Sequence, residues 1–175
     1  MAKIDRDGVP KRASKRKTAP VNSDFWNGDR GGFAAIPRRV LDGPDFMALN
    51  GGSIKLLLEF ARQVNGHNNG DLTAAWSILN KRGFASKDTI ERSIKELIQR
   101  GLIVKTRQGQ GGVDGKRQPT LYALTWLAIC PINTYNGNGR VFDVEPTTQP
   151  LRRSYLDPYD GRALTTPNKN SLLTA

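Results

Sequence analysis

Cysteine and histidine are almost missing from this chain: Cys130 and His67 are the single copies among 175 residues. One cysteine can form no internal disulfide, and thiolate zinc sites need several, so both are excluded and a reducing interior is the expected setting. His67 stands in the turn Asn65-Gly66-His67-Asn68-Asn69-Gly70 with no sequence partner for metal binding or proton transfer. The carboxylates are scattered without a paired acid/base arrangement, so no enzyme, cofactor or metal is expected. Long apolar runs are lacking too, as is a basic helix with a broad apolar face at either end, so no membrane partner is expected. The amino terminus, MAKIDRDGVPKRASKRK, is charged but has no apolar centre and does not read as a secretory signal.

Acidic charge is scarce as well. The chain has 27 Lys and Arg against 16 Asp and Glu, a net charge of +11 and a pI near 10.2. Such a field draws polyanions, of which nucleic acid is the one left once the membrane is set aside, although excess charge also simply keeps a small protein in solution. The charge is uneven. Residues 1–30 form a basic arm without hydrophobic periodicity, in which Lys3, Arg6, Lys11, Arg12, Lys15, Arg16 and Lys17 face only Asp5 and Asp7 in the first twenty residues. The run from Lys11 to Lys17 suits a minor groove or a phosphate track, and in a eukaryote would also read as a nuclear import signal. Residues 31–132 carry the core. Residues 133–175, rich in Asn, Thr, Gly and Pro with nearly balanced charge, read as an extended or disordered tail. Its apolar residues Leu151, Tyr155, Leu156 and Tyr159 either dock a partner, such as a replication or transcription protein, or lie along the domain.

Between the tails, hydrophobic spacing predicts three helices and a hairpin. Ser53 reads as the cap of a first helix running to about Val64, with Ile54, Leu57, Leu58, Ala61 and Val64 inward and Lys55, Glu59, Arg62 and Gln63 elsewhere. After a short extended piece at Asp71 to Thr73, Ala75, Trp76, Ile78 and Leu79 mark a second helix stopping at Gly83. Ser86 caps a third, Asp88 suits its positive end, Ile90, Ile94, Leu97 and Ile98 form its buried stripe, and Gly101 ends it. The runs Leu102 to Gln108 and Thr120 to Trp126 read as a hairpin around a Gly-rich loop. The expected core is Leu57, Leu58, Trp76, Leu79, Ile90, Ile94 and Leu97, with Tyr122, Trp126 and Cys130 packed rather than functional.

Helix, short helix, tight turn, helix and basic hairpin in this order, from about Gly43 to Leu127, spell a winged helix-turn-helix: mainly α with a small β-hairpin, a three-helix core plus wing, and flexible tails. In that fold the third helix fits a major groove, the second braces it, and the wing reaches phosphates or a minor groove. Helical geometry puts Asp88, Thr89, Arg92, Lys95, Glu96 and Gln99 opposite the buried stripe as candidate base readers. Arg92 suits a guanine, Thr89 and Lys95 a thymine methyl, guanine or phosphate, and Ser86 and Lys87 a phosphate at the helix start. The competing reading is a solvated face with supporting pairs such as Glu91 to Lys95 and Glu96 to Arg100. On the wing, Lys105, Arg107, Lys116 and Arg117 outnumber Asp114 and suit phosphate clamping, against the alternative of a loop with incidental charge.

The stretches FAAIPRRVLDGPDFMALNGGSIKLLLEFARQVNG, SKDTIERSIKELIQRGLIVKT and LYALTW resemble winged-helix proteins of bacteria, phages and plasmids, including the DNA-binding domains of phage replication proteins and plasmid replication initiators. The resemblance covers about half the chain. It implies sequence-specific binding of double-stranded DNA in replication or transcription control of a mobile element, in a bacterial cytoplasm on the nucleoid; the sequence leaves the oligomeric state open, a dimer on DNA being one arrangement. An adaptor that docks a host or replication protein, and a binder of single strands or RNA, are the alternatives.

Overall fold

Two prolines open the described chain. Pro37 caps helix α1 (Arg38–Leu41) from an extended conformation, and Pro44 starts α2 (Pro44–Met47), where its fixed φ suits the first helical position and its missing N–H would have no partner anyway. The computed structural model describes residues 33–111, 118–131, 142–162 and 164. The chain divides into units 1–33 and 34–175, and apart from Phe33 the described residues belong to the second.

Helix α3 (Gly51–Gln63) is capped by Asn50, whose side chain accepts the Ser53 amide at 3.0 Å. Ser53, the expected cap, lies inside the first turn with its hydroxyl donating to Glu96 at 2.7 Å. The buried face of α3 also differs from expectation. Leu56, Leu57, Phe60 and Ala61 point inward, whereas Leu58 is 47% exposed. Three consecutive leucines offer an apolar residue to any rotation of the helix, and Phe60 decides it by filling the centre. Glu59, expected outside, is buried between Arg62 at 2.8 Å and Arg82 at 2.9 Å.

Strand β1 (Leu72–Thr73), α4 (Trp76–Leu79) with a 3-10 turn (Asn80–Arg82), α5 (Lys87–Gln99), β2 (Ile103–Arg107) and β3 (Leu121–Leu124) follow. The expected hairpin is therefore present, but β1 pairs with the other side of β3, giving an antiparallel sheet of order β1-β3-β2. Among the described residues the architecture is α+β, with five helices and three strands. None of these helices is long and apolar enough to cross a membrane.

Period-two alternation divides β3 between two clusters. Tyr122 and Leu124 join Leu56, Leu57, Phe60, Leu79, Ile90, Leu97 and Ile103 on the helix side, while Leu121 and Ala123 join Ile129, Phe142 and Val144 on the other. Trp126 is fully buried in the first cluster, and Trp76 and Ile94, expected at the centre, pack half-buried at its margin. Both outer edges of the sheet are occupied. The Gln63 side chain bonds the Thr73 amide at 2.9 Å and its carbonyl at 3.0 Å, as a strand would. Along β2, the Asp143 amide donates to Thr106 at 2.8 Å and its carboxylate accepts the Gln108 amide at 2.8 Å. Residues 142–162, read as an extended or disordered tail, do run without helix or strand, yet Phe142, Val144, Arg152 and Tyr155 are buried.

Candidate nucleic-acid interface

Helix α5 starts where Ser86 Oγ accepts the Asp88 amide at 3.1 Å, as its sequence predicts. Its buried face is centred on Ile90, Ser93 and Leu97, with Ile94 and Ile98 half-buried beside it. Ser93 must be small because α3 passes close by. A Cβ on Gly52 would lie 3.2 Å from Ser93 Oγ and 3.5 Å from the Thr89 methyl. The stripe is thus rotated from the expected one, and Thr89 and Glu96 turn with it towards α3. Thr89 is half-buried. Glu96 is engaged by the start of α3, accepting from Ser53 Oγ and from the Asn50 amide, with Arg100 Nε at 3.6 Å. Both are less exposed than Arg92, Lys95 and Gln99, with which helical periodicity groups them.

Lys87, Asp88, Glu91, Arg92, Lys95 and Gln99 remain outside. Arg92 Nε reaches only its own helix, the Asp88 carbonyl at 3.4 Å. Of the two expected supporting pairs, Glu96–Arg100 forms, but Glu91–Lys95 does not appear among the described ion pairs. Lys87 Nζ sits 5.9 Å from the Trp76 ring centroid, so the half-buried indole links α4 to the start of α5. Lys81, on the 3-10 turn ahead of Gly83, is a further exposed cation beside this turn that sequence reasoning passed over. Its signal was the Lys81-Arg82 pair, of which Arg82 is drawn to Glu59.

The hairpin departs from expectation at one residue. Lys105 is exposed, with Nζ donating to Gln108 at 2.7 Å, but Arg107 is buried and donates to the Pro119 carbonyl at 2.9 Å. The cause is a register shift between them. Lys105 pairs with Tyr122 and Arg107 with Leu121, residues on opposite faces of β3, so Arg107 turns away from the face that Lys105 shares. Arg107 is thus buried where the sequence predicts an exposed cation. Lys116 and Arg117 on the loop, and Lys11, Arg12, Lys15, Arg16 and Lys17 on the arm, lie outside the described residues.

The remaining polar clusters hold the fold together. Burial raises the pKa of Glu59, but hydrogen bonds from Arg82 and then Arg62 outweigh it and hold the carboxyl below its ordinary 4.5. Asn69 is buried, its amide donating to the Leu124, Leu127 and Ala128 carbonyls at 2.9–3.2 Å and accepting the Leu124 amide at 2.8 Å. It ties the turn before β1 to the end of β3, a role invisible in its Asn/Gly-rich surroundings. His67 is exposed in that turn, and Cys130, expected buried, is half-buried next to it. Among the described residues no group of three or more His, Cys, Asp or Glu could hold a metal ion. No protein family, curated protein or solved structure matches this chain.

Proposed function

We propose that this chain is a winged helix-turn-helix protein that binds double-stranded DNA in a sequence-specific way, with α5 in the major groove and the β2–β3 hairpin as wing. The observation that carries this reading is the state of the outer face of α5, where Arg92, Lys95 and Gln99 stand in solvent with no ion pair among the described residues. Thirteen residues make a helix about 20 Å long, and a groove about 12 Å wide admits it. The basic arm and Lys105 add sequence-independent attraction to phosphates. The resemblance noted above makes replication initiation or transcription control of a mobile element the biological setting. Leu156, 85% exposed on the C-terminal segment, favours a second reading in which the domain is an adaptor that docks a replication or transcription protein.

Selection from a random duplex library, followed by competition among the selected duplex, unrelated duplex, single-stranded DNA, RNA and heparin, separates the readings. A groove reader yields a preferred duplex that outcompetes equal charge. Binding that follows charge alone would remove the groove-reading proposal and leave the adaptor.

A further inference from the structure

The turn from α5 into β2 is only Arg100, Gly101 and Leu102 long, and it sets the angle between helix and hairpin. Carbonyls at a helix end have no partner within the helix and must find one elsewhere. Here all three turn carbonyls have partners: Arg152 Nη1 donates to Arg100 at 2.8 Å, the Thr125 hydroxyl lies 2.8 Å from the Gly101 oxygen and 3.1 Å from that of Leu102, and the Thr125 amide donates to Leu102 at 3.2 Å. Since the Thr125 proton is directed to those carbonyls, the Tyr155 hydroxyl donates to Thr125 Oγ1, at 2.8 Å. Burial pushes the Tyr155 phenol up, which keeps it a donor. The Tyr159 ring lies on Gly101, where a Cβ would come within 2.7 Å of it and where φ is +60°.

These side chains are in turn fixed. Arg152 Nη2 meets the buried Asp45 carboxylate at 2.6 Å and the Asp157 carbonyl at 2.9 Å, and Nε donates to Ser154 at 2.9 Å. Its guanidinium lies 4.4 Å and 5.4 Å from the Tyr155 and Tyr159 ring centroids. The Tyr159 amide bonds the same Asp45 oxygen at 2.9 Å. Arg152 is buried, so it has no access to a phosphate.

We propose that Arg152, Tyr155 and Tyr159 are positioning residues: a clasp from the C-terminal segment that locks the α5–β2 turn and so presents helix and hairpin to one duplex in a fixed mutual orientation. This rests on the DNA-binding reading. Its benefit is preorganisation, since an orientation fixed before binding need not be ordered on binding.

The test uses the full chain with Tyr155→Phe, which removes one hydroxyl, and Arg152→Lys, which keeps the charge but loses the planar fork. Both are compared with wild type by thermal unfolding, by amide exchange at Gly101, Leu102 and Ile103, and by affinity for the selected and a random duplex at several salt concentrations. Expected are faster exchange at the turn and a fall of about twofold to thirtyfold in the ratio of selected to random affinity, the range for residues that act on a site through others. The salt slope stays unchanged because no phosphate contact is lost. A folded Tyr155→Phe with wild-type exchange and wild-type preference overturns the clasp, as does a uniform loss on both duplexes with a shallower salt slope. If Arg152→Lys fails to fold, Tyr155→Phe decides alone. If wild type has no preferred duplex, the DNA reading fails, and with it the positioning role, while faster turn exchange would still identify the mechanical lock.

Discussion

Helices α3 and α5 are each thirteen residues long, amphipathic and capped by a small polar side chain, yet they use their outer faces differently. On α3 the polar side chains are bound to other parts of the domain. Lys55 donates to the Gly83 carbonyl at 2.7 Å, Glu59 holds Arg62 and Arg82, and Gln63 closes the edge of β1. On α5, among the described residues, Glu96, the flanking caps Ser86 and Arg100 and, through the Trp76 ring, Lys87 are engaged, and the face running through Arg92, Lys95 and Gln99 is left to solvent. Net charge does not mark α5 as the more basic helix, since Lys55, Glu59 and Arg62 leave α3 at +1 whereas three basic and three acidic residues cancel on α5. What separates them is whether the charged groups already have partners, and by that measure α3 is scaffold and α5 is surface.

The sharpest way to break this comparison is to misplace the core face of α3. Leu57→Ala should cost about 2–5 kcal/mol in a urea unfolding experiment, the penalty for emptying a buried aliphatic site. Leu58→Ala, one residue on, should cost about 1 kcal/mol or less. Equal losses would restore the face that the sequence predicts and would undo the assignment of Glu59 to the interior.

A smaller effect probes the polar side of the same helix. Glu59→Gln should lower stability by about 1 kcal/mol at neutral pH, modest because both arginines remain nearly half exposed. The Glu59 pKa is depressed in the folded state, so its contribution is present above the ordinary 4.5 and is lost as pH falls through the lower folded value. The gap between variant and wild type should therefore close in unfolding experiments taken well below 4.5. A gap independent of pH would mean that shape rather than charge holds the site.

The smallest effect on stability is expected on α5. Lys95→Ala should move the unfolding free energy by no more than about 0.5 kcal/mol, because the side chain is solvated and unpaired among the described residues. The same variant should bind duplex DNA more weakly. A clear loss of stability would place Lys95 among the scaffold residues and remove the contrast between the helices.

How much of this was legible in the sequence depends on the range of the interaction involved. The two ends of α5 were, because Ser86 and Gly101 act on neighbouring amides and carbonyls. The start of α3 was misplaced because Asn50 and Ser53 are both able to cap and the intervening glycines resemble a break; contact with Glu96, far along the chain, settles it. Arg107 was misread because a single irregularity in a strand exchanges its faces, and nothing local announces one. The bond between Asp45 and Arg152 joins residues 107 positions apart, so the C-terminal segment looked like an extended or disordered tail. For the site, the choice of helix and of Arg92, Lys95 and Gln99 as its outward residues came from periodicity. The half-burial of Thr89 and Glu96 was not legible, because Gly52 lets α3 approach more closely than periodicity reveals.

The most direct measurement compares one arginine from each helix. Affinities for the selected and a random duplex are measured for wild type, Arg92→Ala in α5 and Arg62→Ala in α3, each shown to be folded. Arg92→Ala should lose about 1–3 kcal/mol on the selected duplex and little on the random one, since a base contact confers discrimination. Arg62→Ala, whose guanidinium is bound to Glu59, should leave the ratio unchanged. A wild-type ratio in Arg92→Ala, or an equal fall in both variants, would contradict the proposal that α5 is the reading helix.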